Sequence, residues 1–237
     1  TLAVLMIYAA FLPELRRFAL FGRFWRPDWQ ALKQVFRLGW PIGLTSLAEG
    51  GLFQASALMM GWIGTIELAA HGIALQVISL VFMVHIGLSA AATVRVGRAD
   101  GRSDSRGLRD SAIVATLLAF AVAMLSAAVF IVIPGPLIAL FLDEANESAA
   151  TIVVYGSGFL LVAALFQVFD AMQVMALGCL RGVQDTQVPM WIAAFSYWII
   201  GVPASYALAF PLGFGGEGLW FGLVVGLACA SALLMAR

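Results

Sequence analysis

Two carboxylic acids, Glu49 and Asp170, lie inside long apolar stretches of this 237-residue sequence. At a helical rise of about 1.5 Å per residue, each falls roughly 16 Å from one end of its stretch. That depth is near the midplane of a membrane core about 30 Å thick. A charged carboxylate there is costly, so it must face a polar cavity, bind a cation or carry a proton. The two residues therefore predict a site for Na⁺ or H⁺.

Polar side chains flank each acid on one helix face, which predicts a cavity beside it. In the later helix they are Gln167 and Gln173, which share the face of Asp170. Gln76 lies in the middle of another apolar stretch and could face the same cavity. In the earlier helix the polar face consists of Thr45, Ser46, Glu49 and Ser56. The candidate cavity-lining residues are therefore Ser46, Gln76, Gln167 and Gln173. The alternative is that both acids are structural and bond to neighbouring helices.

The other reactive residues form no catalytic or metal-binding pattern. His71 and His85 lack the i, i+4 spacing of a helical metal pair and are interpreted as packing histidines. Cys179 and Cys229 have apolar neighbours and no metal-ligand spacing. The sequence contains no nucleophile elbow, His-Glu-x-x-His motif or phosphate loop. We therefore predict a protein that is not an enzyme and that needs no cofactor beyond a coupling ion.

The composition identifies the element type that must position these residues. Hydrophobic residues make up 62% of the sequence and charged residues 11%, with a mean hydropathy of +0.99. Soluble domains contain about 45–50% apolar and about 25% charged residues. The composition excludes a soluble domain, a disordered tail and a nucleic-acid-binding protein. It predicts an all-α, polytopic bundle of transmembrane helices.

The apolar stretches predict six full spans preceded by the end of another. Each is long enough for the roughly 20 residues that a spanning helix needs. The predicted spans are 39–61, 68–94, 111–133, 149–178, 189–211 and 217–236. Residues 1–12 are interpreted as the end of a preceding transmembrane helix. The charged segment 13–38 is predicted to be a cytoplasmic connector with an interfacial helix, and residues 39–237 a six-helix lobe.

The charged residues in the connections alternate in sign. All 13 basic residues lie before the first full span, between the second and third, between the fourth and fifth, or at the chain's end. The other connections carry acids: Glu67, Asp143, Glu144, Glu147 and Glu217. The positive-inside rule places the basic links in the cytoplasm. This pattern predicts a multi-pass protein of the bacterial plasma (inner) membrane.

Three segments resemble the multidrug and toxic compound extrusion family. LGWPIGLTSLAEG at 38–50 resembles the start of the family's seventh helix. The segment 60–101, which ends in HIGLSAAATVRVGRADG, resembles the eighth helix and its exit, and FQVFDAMQVMALGCLRGVQDTQVPMW at 166–191 resembles the tenth. The resemblance implies the C-terminal half of a twelve-helix, two-lobed transporter. Since the chain also opens inside an apolar run without an initiator Met, we expect a fragment of a longer protein.

The resemblance also implies a function. The family exports cationic and amphipathic drugs in exchange for Na⁺ or H⁺. In its NorM-like branch, a Glu of helix seven and an Asp of helix ten take part in cation coupling, and the matching positions are Glu49 and Asp170. Gln173 and Gln76 match polar positions near that cavity. The expected partners are such drugs, membrane lipids and the missing N-terminal lobe, with no nucleic acid.

Two alternatives stay open at this point. A lipid-linked precursor flippase of the same wider superfamily would share the fold. Its cavity should hold basic residues for a phosphorylated headgroup, whereas every arginine here lies in a link or at the end of a span. The other alternative is a non-transporting membrane subunit, in which neutralising Glu49 and Asp170 would harm only stability.

Overall fold

The computed structural model describes Tyr8, residues 27–142 and residues 147–237. The chain divides into two compact units, Thr1–Trp40 and Pro41–Arg237. Apart from Tyr8, the predicted end of a preceding span at 1–12 lies outside the described residues, as do residues 13–26 of the predicted connector.

The described residues form helices and contain no strand, which confirms the all-α prediction. The π-helical segment Phe195–Gly201 joins α6 to α7. The helices are α1 (Trp29–Ile63), α2 (Thr65–Asp100), α3 (Ser105–Val132), α4 (Pro134–Ala139), α5 (Ala149–Gly182), α6 (Gln187–Ala194), α7 (Val202–Ala209) and α8 (Gly215–Met235).

Five described helical segments are long and apolar enough to cross a membrane. They are α2, α3, α5, α8 and the continuous stretch Gln187–Ala209 that contains α6 and α7. The remaining predicted span, 39–61, lies in α1. This helix has 35 residues but is not among these five. The count differs because Glu49 and its polar neighbours lower the hydropathy of α1.

Helix α1 begins inside the segment predicted as a connector. Asp28 caps its start, since the Asp28 carboxylate accepts hydrogen bonds from the backbone N–H groups of Gln30 at 3.1 Å and Ala31 at 3.0 Å. The helix therefore starts well before residue 39, where the apolar pattern begins.

Helix α5 is the central element of the second unit and packs against α2, α3, α4 and α8. A buried aromatic cluster joins α5 to α8, with the rings of Phe166 and Trp220 5.9 Å apart at an angle of 76°. Phe159 of α5 stacks on the same indole at 6.3 Å. An apolar surface on nearly every side is typical of a helix enclosed by neighbours.

Glycines of α8 allow a close approach to the preceding span. A Cβ atom at Gly226 would lie 2.8 Å from the Cα of Gly201, and one at Gly222 would collide with the backbone of Ser205. The small residues Gly218, Gly222 and Gly226 therefore let the backbone of α8 lie close to the preceding span.

The π-helical segment positions Tyr197 in the interior. The Val202 N–H donates to the Tyr197 carbonyl, five residues earlier, directly before Pro203, which has no N–H to donate. The Tyr197 side chain is fully buried.

Candidate functional site

Asp170 of α5 faces a histidine of α2. The Asp170 Oδ2 atom lies 3.9 Å from His85 Nδ1, and both side chains are buried. Among the described residues, neither carboxylate oxygen has a hydrogen-bond partner. His85 was interpreted as a packing residue, so its place beside the predicted coupling acid departs from that interpretation.

A regular register between α2 and α5 sets this contact. The Ser89 hydroxyl donates to the Val174 carbonyl at 2.9 Å, and the Thr93 hydroxyl donates to the Gly178 carbonyl at 2.8 Å. Both pairs are separated by 85 positions in sequence, as His85 and Asp170 are. The two helices therefore run parallel, and each step of one turn brings another pair into contact.

Asp170 opens onto a small, mainly apolar cavity, which we call the aspartate cavity. Its volume is about 240 Å³. Apart from Asp170, Ser79 is its one polar lining residue, and the Ser79 hydroxyl donates to the Gln76 carbonyl at 2.7 Å. The remaining lining residues are Phe53, Leu75, Ile78, Phe82 and Phe166.

Glu49 lines a larger cavity of about 430 Å³ between α1, α2 and α5, which we call the glutamate cavity. Ser46, Ser89 and Thr93 also line it. Arg181, at the end of α5, is another lining residue, and its charge interacts with that of Glu49. The expectation that no arginine would reach the cavity is therefore wrong, because α5 continues to Gly182 and carries Arg181 along its wall.

The two acids lie in neighbouring cavities. Phe53 and Phe82 line both cavities, so the two cavities adjoin at these residues. The charges of Glu49 and Asp170 nevertheless interact. Occupation of one acid by a cation therefore changes the electrostatic environment of the other.

The predicted glutamines have different positions. Gln167 and Gln173 are fully buried, and neither lines these two cavities. The Gln167 amide donates to the Ser126 hydroxyl at 3.5 Å, while Gln173 lies beside the Tyr197 hydroxyl. Gln76 is exposed and also lines neither cavity.

The second buried histidine makes ordinary packing contacts. His71 Nε2 lies 3.2 Å from the Ser56 hydroxyl, and the His71 ring meets the Trp220 ring edge to face at 5.4 Å. Because the Ser56 hydroxyl donates to the Phe53 carbonyl, it accepts from His71. These contacts agree with the interpretation of His71 as a packing residue.

No group of three or more His, Cys, Asp or Glu side chains in the described part of the chain could hold a metal ion. A Na⁺ ion at Glu49 or Asp170 would therefore depend on neutral oxygen atoms for its other ligands.

Sequence reasoning missed His85 and Arg181. A signal for His85 was present, because His85, Ser89 and Thr93 follow one another at the spacing of a single helix face. Nothing in the local sequence distinguishes Arg181 from the other arginines near the ends of spans.

Comparisons with known proteins agree with this architecture. The MatE family model matches residues 41–207. Proteins described as probable multidrug resistance protein NorM from Agrobacterium fabrum and Rhizobium meliloti are 47% and 49% identical to this chain over 94% of its length. The chain spans 48% of each relative. The crystal structure of the eukaryotic MATE transporter AtDTX14 is similar with a TM-score of 0.84 at 22% identity, over 99% of this chain and 51% of that one.

Proposed function

The chain belongs to the MatE family of transporters, and from that premise we propose that it forms one lobe of a cation-coupled exporter. The complete protein would expel cationic or amphipathic drugs in exchange for Na⁺ or H⁺. It would lie in the bacterial inner membrane with its basic links in the cytoplasm. Its partners would be the drugs, the surrounding lipids and the N-terminal lobe.

The observation that carries this proposal is the pair of acids in neighbouring cavities. Glu49 and Asp170 line different cavities that share Phe53 and Phe82, and the charges of the two acids interact. A cation at either acid weakens the attraction of the other for a second cation, since the total negative charge falls. Drug and coupling ion would therefore compete for the negative charges of Glu49 and Asp170, as an antiporter requires.

The glutamate cavity suits an organic cation. It combines a carboxylate with the apolar side chains of Phe53, Phe82 and Ile86 in about 430 Å³. That volume lies within the range of about 300–1,000 Å³ typical of small-molecule sites. Rocking of this lobe against the other would expose the cavity to each side of the membrane in turn.

Arg181 is the observation that favours the second candidate, the lipid-linked precursor flippase. A guanidinium in the cavity wall could bind a phosphorylated headgroup. The charge of Glu49 faces that guanidinium and offsets it. We therefore favour the exporter over the flippase.

The test is efflux of ethidium, a cationic dye, from inverted membrane vesicles that contain the complete protein. Glu49→Gln and Asp170→Asn should each abolish efflux driven by an ion gradient while expression stays normal. Glu67→Gln and Asp100→Asn are matched controls, because they neutralise acids that line neither cavity. Unchanged efflux in both cavity variants would contradict the proposal. Export of a lipid-linked precursor without ethidium efflux would favour the flippase, and harm to stability alone would favour the non-transporting subunit.

A further inference from the structure

We propose that His85 closes the Asp170 site to Na⁺, so that the proton is the ion that couples through Asp170. This inference rests on the proposed function and specifies its ion. It starts from the position of the imidazole, which is fully buried and whose Nδ1 atom lies 3.9 Å from Asp170 Oδ2. A Na⁺ ion bound to that oxygen would have to share this space with the ring.

The ligand chemistry beside Asp170 is unsuitable for Na⁺. Small hard cations bind several oxygen ligands, whereas imidazole nitrogen is typical of zinc, copper and iron sites. Besides the carboxylate, the aspartate cavity offers one side-chain oxygen, that of Ser79. The other lining residues present carbon surfaces. A proton needs no such shell, because a single carboxylate oxygen can carry it.

Neighbouring oxygen atoms do not complete a Na⁺ shell at this cavity. The side chains of Gln167 and Gln173 are buried on the same helix as Asp170, but neither lines the aspartate cavity. Gln167 is held by Ser126, and Gln173 lies beside Tyr197. The side-chain oxygen atoms of Gln167, Gln173 and Tyr197 have no hydrogen-bond partner among the described residues, but none of these three residues lines the aspartate cavity.

The α2–α5 register keeps the imidazole in place. The hydrogen bonds from Ser89 to Val174 and from Thr93 to Gly178 fix the rotation of α2 relative to α5. A Cβ atom at Gly178 would lie 2.8 Å from the Ser89 carbonyl oxygen, so the two helices approach closely at this level. His85 cannot leave Asp170 without a shift of the whole helix pair.

The surroundings add few other titratable groups. The charge of Glu49 on α1 interacts with Asp170. The charge of Asp170 interacts in turn with Tyr197 of the π-helical segment. Helix α3 presents the main chain of Ala119 to His85. Arg181 at the end of α5 acts on Glu49 and Tyr197. The helices packed on α5 carry further titratable residues. On α2 and α3 they are Glu67 at the start of α2, His71 beside Trp220, Arg95, Arg98 and Asp100 at the end of α2, and Arg106, Arg109 and Asp110 at the start of α3. On α8 they are Glu217 beside Gly158 and Cys229 beside Ser196. Helix α4 has none.

The experiment separates the two ions in vesicles that contain the complete protein. Ethidium efflux is measured with a Na⁺ gradient at equal pH, with a pH gradient in Na⁺-free buffer, and with neither gradient. The wild-type protein should respond to the pH gradient alone. His85→Asn, which replaces the imidazole with an amide oxygen donor, should gain efflux driven by Na⁺. His71→Asn is the matched control and should not gain it.

A second readout does not need transport. Thermal unfolding of the purified protein is compared in NaCl and in choline chloride at equal ionic strength, because an ion that binds the folded state raises its stability. The wild type should show no difference, and His85→Asn should be stabilised by Na⁺.

Each outcome decides the inference. Na⁺-driven efflux or Na⁺ stabilisation of the wild type overturns it, and so does a folded His85→Asn variant with the wild-type response. Should His85→Asn fail to fold, the wild-type measurements decide alone. The absence of efflux under every gradient overturns the proposed function, and the unfolding experiment then still tests whether Na⁺ binds.

Discussion

His85 Nδ1 and Asp170 Oδ2 face each other at 3.9 Å in the interior of the lobe, from two parallel helices in register. The distance is longer than a hydrogen bond, and both side chains are buried. Removing one member of a buried polar pair leaves the other without its polar neighbour. The pair is therefore the point where the chemistry of the site and the packing of α2 on α5 depend on each other.

That dependence leads to a prediction for a double-mutant cycle. Asp170→Leu should destabilise the protein, because it leaves His85 buried without its partner. The double variant Asp170→Leu/His85→Leu should recover part of that loss while staying inactive in transport. We expect a coupling free energy of about 0.5–3 kcal/mol from thermal unfolding in detergent. Strictly additive effects would show that the two residues do not interact.

Arg181 should set the preference of the glutamate cavity for charge. Arg181→Gln removes the cation that faces Glu49, so a cationic dye should bind more tightly and its KM for efflux should fall. Arg109→Gln is the control, since Arg109 is exposed on α3 and does not line this cavity. An unchanged KM in Arg181→Gln would argue against a role for this residue in substrate binding.

The glycines of α8 should be intolerant of even one methyl group. Gly222→Ala places a Cβ atom against the backbone of Ser205, so it should lower the free energy of unfolding by about 1–3 kcal/mol. Gly72→Ala in α2 has no atom within 4 Å of the added carbon. That control should be neutral or slightly stabilising, by up to about 1 kcal/mol, because alanine favours a helix more than glycine does. Equal effects of the two changes would contradict the close packing of α8.

The hydrogen bonds between α2 and α5 should contribute modestly to stability and strongly to function. Ser89→Ala and Thr93→Ala should each cost about 1 kcal/mol in thermal unfolding, because each removes a hydrogen bond between α2 and α5. Together they should reduce gradient-driven efflux more than they reduce the amount of folded protein, since they release the register that holds His85 beside Asp170. Ser231→Ala is a control, because the Ser231 hydroxyl donates within its own helix and the residue lines neither cavity.

Much of the architecture could be predicted from the sequence, because membrane helices have a strong apolar signal. The motif resemblance is confirmed by the family match over residues 41–207, and the family consists of transporters rather than enzymes. Helix α1 starts before the predicted span because the cap at Asp28 lies outside the apolar pattern. The polar face around Glu49 lowers the hydropathy of α1, and this explains why α1 is not among the helices apolar enough to cross a membrane.

The site itself was predictable only in part. Depth and polar spacing singled out Glu49 and Asp170, whose roles stay predictions. Their division into two cavities depends on Phe53 and Phe82, which look like any other apolar residues of a span. The side chain of Gln76 is exposed. Its position was not predicted, because periodicity alone does not say which face of α2 turns inward. His85 was missed because a lone histidine in an apolar helix resembles a packing residue.

The most direct test of the proposed exchange follows ethidium and the coupling cation in the same proteoliposomes. With the complete wild-type protein, we expect outward dye movement to be accompanied by inward cation movement, and each flux to stop when the other species is removed. Asp170→Asn should lose the cation flux that depends on the dye. Dye movement without an opposite cation flux, or a dye-dependent cation flux that persists in Asp170→Asn, would contradict the account.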